Sequence, residues 1–421
     1  MKKTLRGTVG TAVVAAGLLA AMVPAGAASA FKIDTIMKND LTLKASTSGL
    51  NMGGSSFDAP LVLAAQAQWN ADNGKTAFNT YATTKSGTGR ANAISGAYNI
   101  GFSDFPLNIA GADVGAGSSD ASETTANYVQ VPVALGGVAI IYHFGSGVSG
   151  TLAGILKKNP LTLSGKVLGE IFAGKITNWD DPAIAKLNPA VVVKKVDLLP
   201  NLAIAVESRT SGSGTTFMFQ DYLSRVDATD FPTASANAFT KAAATFGNSG
   251  LLDAAVHSTN GAIGYVEYGY AVANGETPIS LVNASGKTVT LTEAGIVEAA
   301  TVGLTTIAKH GGFNTTSINN FSINNQVGAT VYPIAGFSYA IVKKNQTDAN
   351  TAIAIVKFLD FLSHQGGGTP AFPATKSSSV FGQDLADSQG FAPLPASMQT
   401  IARTLISSVT SGGKAVLSAT N

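Results

Sequence analysis

The sequence contains no cysteine in 421 residues. That excludes a disulfide-stapled scaffold and a lipid carried on a processed N-terminal cysteine, although it does not exclude an oxidising compartment. Charge is scarce as well: 12% of residues, with 27 lysines and arginines against 25 acids. So balanced a chain lacks the basic surplus that recruits nucleic acid, and no nucleic-acid partner is expected. Histidine is limited to His143, His257, His310 and His364. They are far apart and carry no HExxH or similar spacing, so surface or packing roles are expected and neither a metal site nor a cofactor. There is no GxSxG elbow, and Ser103-Asp104 has no histidine tied to it, which leaves a hydrolase triad unsupported. No fixed-period repeat occurs.

What the chain does have begins with an address. MKKTLRG is followed by an apolar stretch from Val9 to Val23 and by PAGAASA. A basic segment, a short apolar core and small residues before the cut describe an export signal of residues 1–30, cleaved after Ala30. The run is too short for a membrane span. Its removal takes Lys2, Lys3 and Arg6 and moves the formal charge from +2 to −1. The mature chain is expected in the periplasm, not as a lipoprotein, with release further outside left open. About 390 residues with 45% hydrophobic content can build two cored domains, and the 46 glycines do not signal disorder.

Strand and helix patterns alternate throughout, which predicts an α/β protein. Helices are predicted over Pro60–Trp69, Arg90–Ile94, Phe239–Phe246, Gly250–Val256, Glu293–Ala300, Ala352–Leu362 and Met398–Ser407. The run Val129–Phe144 is strongly β, with Pro132 and Gly136-Gly137 breaking it where the chain passes between domains. His310–Asn324, rich in Gly, Asn, Ser and Thr, is expected as a surface loop.

Three serine-bearing loops each lead into a helix. The fullest lies between a strand at Leu202–Val206 and a helix through Met218, Phe219, Tyr222, Leu223 and Val226. It holds Arg209, Ser213, Gly214 and Thr215. Glycines let the backbone turn there, and a helix start leaves its first N–H groups unpaired. With two hydroxyls and a guanidinium, such a loop suits a tetrahedral oxyanion. It lacks the lysine and spacing of a nucleotide-binding Walker loop. The second loop holds Ser56, with Phe57 offering a backbone N–H, and the third holds Ser86. Asp104 ends a short strand at Ile100–Phe102. A carboxylate accepts a hydrogen bond only from a protonated oxygen, so Asp104 favours hydrogen phosphate over sulfate. Against sulfate it would remain desolvated and unpaired.

GGSSFDAPL, SGTGRANAISGAYNIGFSDFPL, LSGKVLGEIFAGKITNWDDPAIAKLNP, SRTSGSGTTFMFQDYL, GAIGYVEYGYA and FAPLP together resemble the periplasmic phosphate-binding proteins of ABC phosphate-uptake systems. The resemblance covers most of the mature chain. It implies a type II periplasmic-binding-protein fold, two α/β lobes joined by two crossing strands with a ligand cleft between them. Residues 31–135 and 336–421 would form the first lobe and 136–335 the second. By matching motif, the phosphate ligands would be Ser56, Phe57, Ser86, Asp104, Arg209, Ser213, Gly214 and Thr215. The partners implied are inorganic phosphate and, transiently, the membrane subunits of an ABC permease. The protein would be a monomer and not an enzyme. One departure stands out: the family usually carries an aspartate two residues past the loop arginine, to brace it, and here that position is Ser211. Arg209 is therefore expected to be less fixed and less neutralised. Extra length in 31–45 and 300–325 leaves room for another role. The alternatives are an extracellular phosphatase of the same superfamily and an adhesive surface protein that has kept the fold.

Overall fold

The computed structural model describes residues 48–73, 77–107, 127–145, 148–309, 321–365 and 380–416. The export signal at 1–30, the 31–45 segment and residues 310–320 of the later addition lie outside them. Among the described residues, no helix is long and apolar enough to cross a membrane.

One eight-stranded sheet positions everything else. Its strands are β1 (Met52–Gly54), β2 (Ala82–Thr83), β3 (Ile100–Ser103), β4 (Tyr128–Tyr142), β5 (Ala205–Arg209), β6 (Ala244–Phe246), β7 (Ala262–Glu267) and β8 (Ala335–Lys343). They lie in the order β2-β1-β3-β8-β4-β7-β5-β6. At one end β2, β1 and β3 run parallel, and at the other β7, β5 and β6 do. Between them, β8 is antiparallel to both β3 and β4, and β4 is antiparallel to β7.

The register makes these two trios point at each other. Ser103 at the end of β3 pairs with Tyr339, which lies opposite Pro132 of β4. Glu267 at the end of β7 pairs with Val138 of the same long strand. Both sets of carboxyl ends therefore converge on the middle of β4. Ligands of open α/β sheets gather at the carboxyl ends of strands. Backbone contact between the two sets, Gly87 N–H to the Gly212 carbonyl at 2.9 Å, requires the sheet to curl.

Helices α1 (Ala59–Asn73), α2 (Ser86–Ser95), α3 (Gly214–Val226), α4 (Ser249–Ser258), α5 (Tyr268–Ala273), α6 (Glu293–Lys309), α7 (Ala349–Ser363) and α8 (Ala396–Ile406) accompany this sheet. In α1, Leu61, Val62, Ala65 and Trp69 are buried. That spacing puts them on one helical face, where Trp69 meets Phe358 and Phe361 of α7 edge-on. A second aromatic cluster, Phe172, Phe219, Phe239 and Tyr265, packs α3 against β7.

Several expectations need correction. Phe239–Phe246 is not a helix: its apolar residues split between a turn and edge strand β6, where Ala244 to Phe246 pair with Glu207 to Arg209. Alanine-rich sequence favours a helix, but pairing beside β5 overrides propensity. The strand before the arginine loop is Ala205–Arg209, not Leu202–Val206, so the arginine itself belongs to the strand. Helix α2 begins at Ser86 rather than Arg90. Of the predicted loop at His310–Asn324, the described part is not surface, since Phe321, Ile323 and Asn324 are buried.

Neither Pro132 nor the glycine pair interrupts β4, which runs unbroken for 15 residues. Proline lacks an N–H, and the ladder accommodates it by a register shift: Ser338 and Tyr339 of β8 pair with Ala134 and Pro132, which leaves Val133 as the extra residue of β4. Gly136 is glycine because a Cβ there would lie 2.6 Å from Cζ of Phe57.

Candidate functional site

The loops that leave the converging strands carry the polar side chains. From β1 come Ser55, Ser56 and Phe57; from β3, Asp104; from β5, Arg209 and the loop to Ser213. Leaving β6 are Gly247 and Ser249, and Glu267 ends β7. Ser55, Ser56, Phe57, Asp104, Arg209, Ser213, Ser249 and Glu267 are buried.

Asp104 has three hydroxyl partners. Ser55 and Ser86 donate to Oδ2 at 2.7 and 3.0 Å, and Ser338 donates to Oδ1 at 2.7 Å. Burial pushes Asp104 up to about 6, against the pull of the hydrogen bonds from Ser338, Ser55 and Ser86. Ser338 sits at the register shift between β8 and β4. Its Oγ is also 2.8 Å from Oδ2 of Asp58. One hydroxyl proton cannot serve two carboxylates, so the pair must hold a proton of its own. Asp58 is the carrier. Its Oδ1 is buried without a partner, and burial together with Asp104 raises its pKa well above the carboxylate range. The order is Asp58 O–H to Ser338, and Ser338 O–H to ionised Asp104.

Arg209, 1% exposed, stands on the opposite wall. Nη1 donates to Ser249 Oγ at 2.6 Å and Nη2 to the Gly247 carbonyl at 3.1 Å. Its backbone N–H donates to the Tyr265 hydroxyl at 3.1 Å, which also bonds Thr216 Oγ1. Ser249 passes the contact on to Oε1 of Glu267 at 2.8 Å, which Thr215 Oγ1 also reaches at 2.6 Å. Burial lowers the Arg209 pKa, and Glu267 is the strongest opposing influence. The bonds to Ser249 and Gly247 fix the guanidinium more firmly than expected, while its Nε is buried without a hydrogen-bond partner. Glu267 supplies the counter-charge through Ser249, while Ser211 turns away, its Oγ accepting from Ala238 N–H at 3.3 Å.

The other predicted residues join the same cluster. Ser213 caps α3 by accepting from Thr216 N–H at 3.2 Å. Gly214 lies so near Ser86 Oγ and Asp104 Oδ2 that a Cβ would collide with both. Ser56 Oγ is 3.0 Å from Ser249 Oγ and accepts from Ser249 N–H at 3.2 Å. The Phe57 ring packs edge-on to Phe391 in the core, while its N–H donates to Ser55 Oγ at 3.0 Å. Lys85 Nζ reaches the Ser211 carbonyl at 2.6 Å, a further contact between the walls. All eight predicted residues are therefore brought together.

A model of the PBP superfamily domain matches residues 25–365. The phosphate-binding protein PstS of Pasteurella multocida is 30% identical over 333 residues, covering 77% of this chain and 84% of that protein. PstS of Xylella fastidiosa is 30% identical over 318 residues, 74% of this chain and 77% of that protein. The chain belongs to the PstS family. Among solved structures, a phosphate-binding protein from Stenotrophomonas maltophilia aligns with TM-score 0.56 at 19% identity, covering 85% of this chain and 93% of that one. A human phosphate-binding apolipoprotein aligns with TM-score 0.59 at 19% identity, covering 84% and 93%. At that identity the likeness bears on the fold alone: an α/β periplasmic-binding-protein architecture.

Within this cluster of the PstS-family chain, sequence reasoning missed Ser55, Asp58, Ser249, Glu267 and Ser338. Ser249 had a signal, since it opens a helix after Asn248, as in the other serine loops. Glu267 and Ser338 lie inside apolar strands and had none.

Proposed function

We propose that this chain binds inorganic phosphate with high affinity outside the cytoplasm and delivers it to an ABC permease, without catalysing a reaction. The observation that carries this reading is the pairing of Arg209 on one wall with a hydroxyl-ringed, ionised Asp104 on the other. Ser56, Phe57, Ser86, Asp104, Arg209, Ser213, Gly214 and Thr215 would hold the anion, the guanidinium taking phosphate oxygens and Asp104 accepting the phosphate proton. Hydroxyls and N–H groups that now bond one another, such as Ser56 with Ser249 and Phe57 N–H with Ser55, would turn to the ligand. In this reading the protein has the type II form. Residues 31–135 and 336–421 make one lobe, 136–335 the other, and β4 and β8 are the crossing strands. The cleaved signal 1–30, a monomeric state and a transient permease contact complete the proposal.

Equilibrium binding of phosphate to the mature chain tests it, alongside turnover of a generic phosphomonoester with and without divalent metals. Micromolar or tighter binding (about −8 kcal/mol or better) and no turnover are expected. Arg209→Ala should weaken binding by about 1.5–3 kcal/mol or more, the value of a hydrogen bond to a charged group. Turnover, or affinity unmoved by Arg209→Ala, would contradict the proposal.

A further inference from the structure

Helix α4 delivers Ser249 to the anion site from its first turn, and its other end carries a different cluster. Asp253 and His257, four residues apart, project from one face of the helix. Glu276, just past α5, meets them. One ligand atom from each of the three lies within 4.8 Å of the others. His257 Nδ1 is 2.8 Å from Glu276 Oε1.

Neither carboxylate is fully used. Asp253 is 5% exposed, and its Oδ1 is buried without a hydrogen-bond partner. Its Oδ2 is oriented by Asn274 Nδ2 at 2.5 Å. Glu276 Oε2 is likewise buried and unpartnered. A buried and a half-buried carboxyl thus flank a single imidazole, each with an oxygen that has no partner. His257 and Glu276 line a solvent-open cavity of about 280 Å³ whose wall also holds His143, its ring 6.2 Å from that of His257.

We propose that Asp253, His257 and Glu276 form a binding site for a divalent transition-metal ion of the zinc class. Two carboxylate oxygens and one imidazole nitrogen are ligands that zinc accepts, and the cavity leaves the fourth position to water. A tetrahedral ion with bonds of about 2.0–2.2 Å holds its ligands about 3.4 Å apart, so the His257–Glu276 pair, now at 2.8 Å, would open slightly and the other separations, all within 4.8 Å, would adjust around the ion. Binding would displace the proton that His257 Nδ1 shares with Glu276, and Asn274 would orient the Asp253 ligand from outside. The ion would clamp the carboxyl half of α4 to the segment after α5. His257 and Glu276 are not neighbours in a sequence motif, which is why histidine spacing alone gave no sign of the site.

The test is titration of the full mature chain with zinc chloride in phosphate-free buffer, followed by metal analysis after gel filtration. One ion per chain with micromolar or tighter affinity is expected, with a raised Tm. Cobalt substitution should give the visible bands of a four-coordinate ion. His257→Ala and Glu276→Gln should each weaken zinc at least about 100-fold, while phosphate affinity stays unchanged, because neither residue belongs to the phosphate cluster. The half-exposed His257 can be truncated without loss of the fold, which unchanged phosphate binding would verify. Absence of zinc binding, or zinc binding equally strong in both variants, would overturn the proposal and leave the phosphate reading untouched.

Discussion

At the residue scale, the informative positions are those where charge is buried and counted. Asp104 was legible as the acid that follows a short strand, but the proton-loaded Asp58 behind it was not, because β8 must first bring Ser338 between them. The same holds for Arg209. Its loop announced it, whereas its counter-charge, Glu267, lies 58 positions further on inside a strand that reads simply as apolar and aromatic. Ser338→Ala removes the hydroxyl placed between the buried carboxyls of Asp58 and Asp104. It should cost about 1–3 kcal/mol in stability, read as a lower midpoint in denaturant. Asp58→Asn should be tolerated, because an amide N–H replaces the protonated carboxyl as donor to Ser338. Equal loss in both variants would count against a protonated Asp58.

At the scale of elements, the strand–loop–helix unit around Arg209 was readable because all its determinants are local: an apolar run, glycines, a capping serine and helical spacing. Elements decided by tertiary pairing were not. Ala244–Phe246 looks helical alone and becomes a strand only beside β5. The glycines of β4 looked like a break, yet they make room for neighbours on both faces. Gly136 faces the Phe57 ring and Gly137 faces Leu291 and Ile296. Gly136→Ala should therefore destabilise the fold by about 1–3 kcal/mol through overpacking. It should also weaken phosphate binding by displacing Phe57 N–H. Unaltered Tm and affinity would show that the ring gives way freely.

At the scale of the whole molecule, two parallel trios face each other along β4 and deliver their carboxyl ends to one place. No local pattern encodes that convergence; it follows from which strands pair, and only the family resemblance anticipated it. The arrangement puts a cation and an ionisable acceptor on opposite walls, and this gives the site a pH dependence. Burial raises Asp104 from 3.8 to about 6. Between those values the folded protein holds a proton that the unfolded chain releases, so ionising Asp104 costs stability as pH rises through the window. In the proposed binding mode phosphate needs the ionised form as acceptor, so affinity should fall as pH drops through about 6.

Calorimetric titration of the mature chain with phosphate and with sulfate, from pH 5 to pH 8, tests this most directly. Phosphate should bind at micromolar affinity or better above pH 6 and weaken below it. Sulfate, which brings no proton to Asp104, should bind at least about 100-fold more weakly, and Asp104→Asn should flatten the pH profile. Equal affinity for the two anions, or a phosphate affinity indifferent to pH and to Asp104→Asn, would contradict a site that selects its ligand by the ligand's proton.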